Sequence, residues 1–98
     1  MEKIYLRDLS SLTLLRIADR IALHPYDWPT VGYYFKISHN IVITRTFLES
    51  KYGLNNDQFL CRRLLEELAE RDVTIEELQN ALQLMGLDAT ARECDNLA

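Results

Sequence analysis

Thr74-Ile75-Glu76-Glu77-Leu78-Gln79-Asn80-Ala81-Leu82-Gln83-Leu84-Met85-Gly86-Leu87 is the stretch that decides how the rest of the chain is read. Threonine followed three residues later by glutamate is a capping box. The Thr74 hydroxyl accepts from an orphan amide of the first turn, and the Glu77 side chain reaches back to the cap amide. Ile75, Leu78, Leu82 and Met85 then recur at the spacing of one helical face. Gly86 supplies the stop, because glycine takes the left-handed conformation that closes a helix. A start, a stripe and a stop predict one amphipathic helix, whose apolar side must bury against other elements.

Working toward the N-terminus, Asp57 to Arg71 predicts a helix with Leu60, Cys61, Leu64, Leu65 and Leu68 on one face. Arg62, Arg63, Glu66, Glu67 and Glu70 are expected largely on the other. Lys51-Tyr52-Gly53-Leu54-Asn55-Asn56 reads as a loop, with Gly53 closing one helix and Asn55 or Asn56 starting the next. Ser38 is expected to cap a helix through Ile41, Thr44 or Arg45, and Leu48. The run Ile41-Val42-Ile43-Thr44 is β-branched throughout and would also suit a strand, but a lone strand has no partner. Asp27 to Lys36 predicts a short helix, with Asp27 as cap, Pro29 in the first turn, and Trp28, Val31 and Phe35 on a shared face. The first helix spans Ser10 to Leu23, capped by Asp8, Ser10 or Ser11, with Leu14, Ile17, Ala18 and Ile21 as its stripe; His24-Pro25 ends it. Beyond Gly86, a last helix starts near Asp88 and carries Ala91 and Cys94. Six short helices with facing stripes predict a single all-α, six-helix antiparallel bundle.

The bulk numbers agree. The chain has 98 residues, 48% hydrophobic and 27% charged, with only 3 Gly and 2 Pro, which suits one helical domain better than a many-turned sandwich. The net charge of −4 speaks against nucleic acid and anionic membranes. Residues 1–53 hold a net +2 and residues 54–98 a net −6. Such a division lets a molecule pair head to tail with a copy or a relative. No apolar run reaches the length of a membrane span and no signal peptide is visible. Cys61 and Cys94 are expected as reduced thiols in a cytoplasmic protein rather than as a disulfide framework.

Trp28-Pro29-Thr30-Val31-Gly32-Tyr33-Tyr34-Phe35-Lys36-Ile37-Ser38 resembles a segment of death domains: tryptophan, two variable positions, an aliphatic, a small residue, two variable positions, an apolar residue. Leu64-Leu65-Glu66-Glu67-Leu68 looks like that family's fourth helix, and Thr74 to Leu87 closely resembles its fifth helix and the turn after it. The similarity covers about residues 8–95. Lys36 departs from a common glycine, and Leu68 from a common tryptophan. The spacing around Trp28 is similar to that of death domains in Toll and interleukin-1 receptor adaptors and their kinases. Caspase-recruitment domains are the neighbouring alternative. The resemblance implies a Greek-key helical fold with Trp28 as a core plug. It also implies homotypic or heterotypic assembly with other death-fold domains in innate-immune or apoptotic signalling.

No catalytic site is expected. His24 and His39 lack companions at metal spacing and are expected exposed or capping, and no cofactor is expected. Glu66-Glu67 and Glu76-Glu77 resemble paired carboxylates, but neighbours in a helix point about 100° apart, which predicts solvated glutamates with ordinary titration. The expected core comprises Trp28, Val31, Phe35, Ile17, Ile21, Leu64, Leu65, Leu68, Ile75, Leu78, Leu82 and Met85. An acidic contact surface is expected from Glu66, Glu67, Glu70, Asp72, Glu76 and Glu77, and a basic one from Arg16, Arg20, Lys36, Arg45 and Lys51. One of Tyr33 and Tyr34 is expected at the surface, Tyr33 as an interface candidate. Reversing Glu66 and Glu67 together is then expected to abolish partner binding with the helices intact. The other candidate is a scaffold domain that docks partners, or dimerises, through an apolar groove.

Overall fold

Four of the helices begin where a side chain supplies an oxygen for their orphan amides. Ser10 accepts from the Thr13 amide at 3.1 Å and opens α1, Ser11–Ala22. Thr44 accepts from Phe47 at 3.0 Å and opens α3, Arg45–Tyr52. Asn56 accepts from Phe59 at 3.2 Å and opens α4, Asp57–Glu70. Thr74 and Glu77 form the reciprocal capping box of α5, Ile75–Leu84. A four-residue α2, Lys36–His39, and α6, Asp88–Leu97, complete the six. These elements belong to a computed structural model that describes residues 3–53 and 55–97, without the side chains of residues 37, 38 and 97. Among the described residues the fold is all-helical, with no strand. The Cα radius of gyration is 12.1 Å, close to the roughly 12.6 Å expected of one compact domain of this length.

The helix expected over Asp27 to Lys36 is instead a 3₁₀ segment, Trp28–Tyr33, followed by α2. Pro29 has no amide to give, Gly32 favours no helix, and Thr30 and Val31 are β-branched. A 3₁₀ turn repeats every three residues, so Trp28 and Val31 eclipse on the inner side and both are buried. The Asp27 carboxylate caps nothing; the Thr30 hydroxyl donates to the Asp27 carbonyl at 2.8 Å.

The helix expected from Ser38 through Ile41 is also absent, and the Ser38 cap lies outside the described side chains. After Asn40, in the left-handed region at φ 54°, residues 41–44 form neither helix nor strand, and Thr44 is extended. β-branched side chains are poor helix formers, and the run joins no sheet among the described residues. The Ile43 amide donates to the Gly32 carbonyl at 3.2 Å, and Ile43 enters the core. Gly53, at φ 67°, closes α3; Leu54 of the expected loop lies outside the described residues.

The core starts before residue 8. Leu6 is fully buried, in a 3₁₀ turn over Leu6–Asp8. Its amide donates to the Val73 carbonyl, and the Ile75 amide to that of Ile4, each at 2.9 Å. This short pairing straps the N-terminus across the α4–α5 turn. Around Trp28, 1% exposed, the expected core residues are buried except Met85, which is partly so. Arg62 is drawn from the outer face of α4 into a two-pronged bond with Asp19 of α1, at 3.1 and 3.2 Å.

Candidate interaction surface

Glu67 is not on the outer face. It follows Leu60 by seven residues and Leu64 by three, the spacing of the buried stripe, and its side chain is fully enclosed. One carboxylate oxygen accepts from Lys51 Nζ and from the Tyr52 hydroxyl, the latter at 2.6 Å. The other accepts from Arg71 Nη1, which also donates to the Glu67 carbonyl at 3.0 Å. Burial alone would push this carboxyl up. Hydrogen bonds from Lys51, Tyr52 and Arg71, with the Arg71 charge, override it and hold the pKa at about 2. The bond to Glu67 raises Lys51; burial and the same carboxylate raise Tyr52. Glu67 and Lys51 therefore meet inside one molecule, fastening α3 to α4, and not across an interface. Removing one partner of a buried pair costs about 3–5 kcal/mol. A Glu67→Lys reversal would thus test folding rather than binding.

The other expected carboxylates divide. Glu77 is half-buried: one oxygen accepts from the Thr74 amide and hydroxyl, the other lies 2.5 Å from His39 Nε2. Burial pushes it up, but the bonds from Thr74 and His39 outweigh this and lower it. Glu66 pairs with Arg63 at 2.8 Å, and Asp72, in a left-handed turn at φ 61°, pairs with Arg7. Both pairs are exposed and each contributes only about 0–1 kcal/mol. Glu70 and Glu76 stand exposed with no ion pair among the described residues.

The cations divide in the same way. Arg45 lies 2.5 Å from Asp57 and 3.9 Å from Glu49, with its guanidinium 5.5 Å from the centre of the Trp28 ring. It holds the core closed. Arg20 reaches Glu93 of α6 at 3.6 Å. Arg16 and Lys36 are exposed, and make no ion pair among the described residues.

The surface also carries apolar side chains. Tyr33 and Tyr34 are both exposed, where only one was expected outside. Tyr34, Glu77, Asn80 and Leu84 border a depression of about 180 Å³. A larger groove, about 700 Å³, has Ile4, Glu76, Glu77, Asn80 and Asp95 in its walls. The two share Glu77 and Asn80 of α5. Leu84 is 73% exposed, Leu23 69%, Leu12 56% and Ile4 53%. Sequence reading missed these four; each is an apolar residue off its helix's stripe, or outside any helix, and that is the signal that finds them.

The histidines are neither free nor capping. His24 Nε2 lies 3.1 Å from the Thr90 hydroxyl and ties the end of α1 to α6, while His39 ties α2 to α5 through Glu77. Cys61 and Cys94 are unpaired and buried. Burial pushes both thiols up, Cys94 to about 11, so little reactive thiolate forms. Among the described residues, no three His, Cys, Asp or Glu side chains are grouped to hold a metal ion. No helix among the described residues is long and apolar enough to cross a membrane. Comparison with protein-family models, curated proteins and solved structures found no match.

Proposed function

We propose that this chain is a protein-interaction module that assembles with other death-fold domains, copies of itself or relatives, in cytoplasmic signalling of the innate-immune or apoptotic type. In this reading its six helices follow the Greek-key order, and it binds rather than catalyses. The observation that carries the proposal is the separation of surface charge outside a closed core. Among the described residues Arg16 and Lys36 stand exposed without an ion pair on α1 and α2, and Glu70 and Glu76 on α4 and α5, while Leu12 and Leu84 are exposed on α1 and α5. Opposite charges on different faces of one rigid body favour asymmetric contacts, and neighbouring apolar area supplies the holding energy that exposed ion pairs lack. Glu67, Lys51 and Arg45 belong to the frame that presents those faces.

The test is capture of a panel of purified death-fold domains, this chain included, at low and high ionic strength. Binding to at least one member, weakening as salt rises, is expected; no binding to any member overturns the proposal. A second reading, a scaffold that docks partners through an apolar groove, is favoured by Tyr34 and Leu84 beside the α5 depression, with Tyr33 also exposed. Its complexes would survive high salt and be lost on truncating Tyr34.

A further inference from the structure

We infer that α1 of one copy docks antiparallel along the exposed face of α5, beside its groove, on a second copy, an inference that rests on the domain-assembly reading and specifies its surfaces. Two helices present exposed residues at matching intervals. On α1 these are Leu12, Arg16 and Arg20; on α5 they are Leu84, Asn80 and Glu76. Both runs step by four residues, so each spans about 12 Å and stays near one helix face. Laid antiparallel with Leu12 against Leu84, Arg16 falls at Asn80 and Arg20 at Glu76. One turn further, Leu23 comes to the end of the groove where Ile4 forms the wall. Apolar residues meet at both ends; between them Arg20 meets Glu76 and Arg16 meets the Asn80 amide, and Glu77 and Asp95 leave the groove acidic although Lys3 also lines it. The reverse orientation sets Leu12 against Glu76 and Arg20 against Leu84.

The two faces do not point the same way. Arg20 touches Glu93 of α6, whereas Asp95, two residues on, borders the α5 groove. Two residues along a helix lie about 200° apart, so the α1 stripe and the α5 groove sit on opposite sides of α6. A face that meets a different, oppositely directed face makes a heterologous contact, which repeats instead of closing on a pair.

Sedimentation velocity of the purified chain over a concentration series tests this. The wild type should grow past a dimer as concentration rises. Leu12→Glu removes one face and Leu84→Glu the other. Both positions are solvent-exposed in the free chain, so folding is retained and read by far-ultraviolet circular dichroism. Each variant alone should lose association by about tenfold or more, since either places a charge in the apolar contact. Mixed in equal amounts they still offer one intact α1 and one intact α5, and should form a one-to-one pair and nothing larger. A wild type that stays monomeric, variants that associate like it, or a mixture that stays monomeric or grows past a pair each overturn the docking. If that happens while the panel of other domains still binds, only this docking falls; if the panel fails as well, the domain-assembly reading falls with it.

Discussion

The carbonyl oxygen of Ile43 lies 1.8 Å from the point where a Cβ on Gly32 would stand. The same two residues are joined by the Ile43 amide, which donates to the Gly32 carbonyl. The 3₁₀ segment and the run before α3 therefore touch backbone to backbone, and only a residue without a side chain allows it. Gly32→Ala should destabilise the domain by about 3 kcal/mol or more, or prevent folding, because the obstacle is main chain and not a flexible side-chain tip. Gly53→Ala is the contrast. Open space surrounds that position, and only its left-handed φ of 67° resists a side chain, so it should cost about 1–2 kcal/mol. Urea denaturation followed by fluorescence of the single tryptophan reads both. Equal costs at the two positions would refute the close approach.

Glu67 sets the acid limit of stability. Its pKa in the fold, about 2, lies below the ordinary 4.5. Its charged form therefore contributes stability that is present above pH 4.5 and lost as pH falls toward 2. The shift corresponds to about 3 kcal/mol. Glu77 and Asp19 are lowered as well and add loss in the same direction. Urea midpoints measured from neutral pH downward should fall steeply in the wild type and less steeply in Glu67→Gln, which starts from a lower plateau. Parallel curves would place Glu67 in solvent.

The alkaline side has the opposite sign. Lys51 and Tyr52 are both raised from ordinary values of 10.5 and 10.0, so their contribution is complete below about pH 10 and lost above it. Tyr52→Phe removes one donor to Glu67 and should cost about 1–3 kcal/mol at neutral pH. An unchanged midpoint in that variant would remove Tyr52 from the network.

Trp28 is enclosed, with the Arg45 guanidinium over its ring and its indole Nε1 without a hydrogen-bond partner among the described residues. Trp28→Ala should cost about 3–5 kcal/mol, a large part of the stability typical of a small domain. As the chain's one tryptophan, it should emit at short wavelength when native and shift red on unfolding. Native emission like that of free tryptophan would contradict its enclosure.

Much of the helical frame is legible because a cap is a local event. Ser10, Asn56 and Thr74 each serve an amide within three residues, and Gly53 and Gly86 need only their own freedom to stop a helix. What escaped depends on distant partners. Leu6 is buried because it pairs with Val73, far along the chain, and no local pattern announces that. The run at Ile41 leaves the helical path where Gly32 lets the backbone of Ile43 come close. Glu67 teaches something different. Its position in the stripe pointed inward and its charge pointed outward, and position won because Lys51, Tyr52 and Arg71 converge on it. For the same reason the candidate surface shrank: several charges that read as a contact patch are spent within the molecule.

The most direct measurement is the affinity for whichever death-fold domain the panel yields, compared between the wild type and two outer-face variants, Glu70→Lys with Glu76→Lys, and Arg16→Glu with Lys36→Glu. None of these side chains has an ion partner among the described residues, so the urea midpoint and helical signal should hold. The expected result is loss of binding in at least one variant with the fold intact. Undiminished affinity in both, at unchanged stability, would show that these faces are not where partners bind.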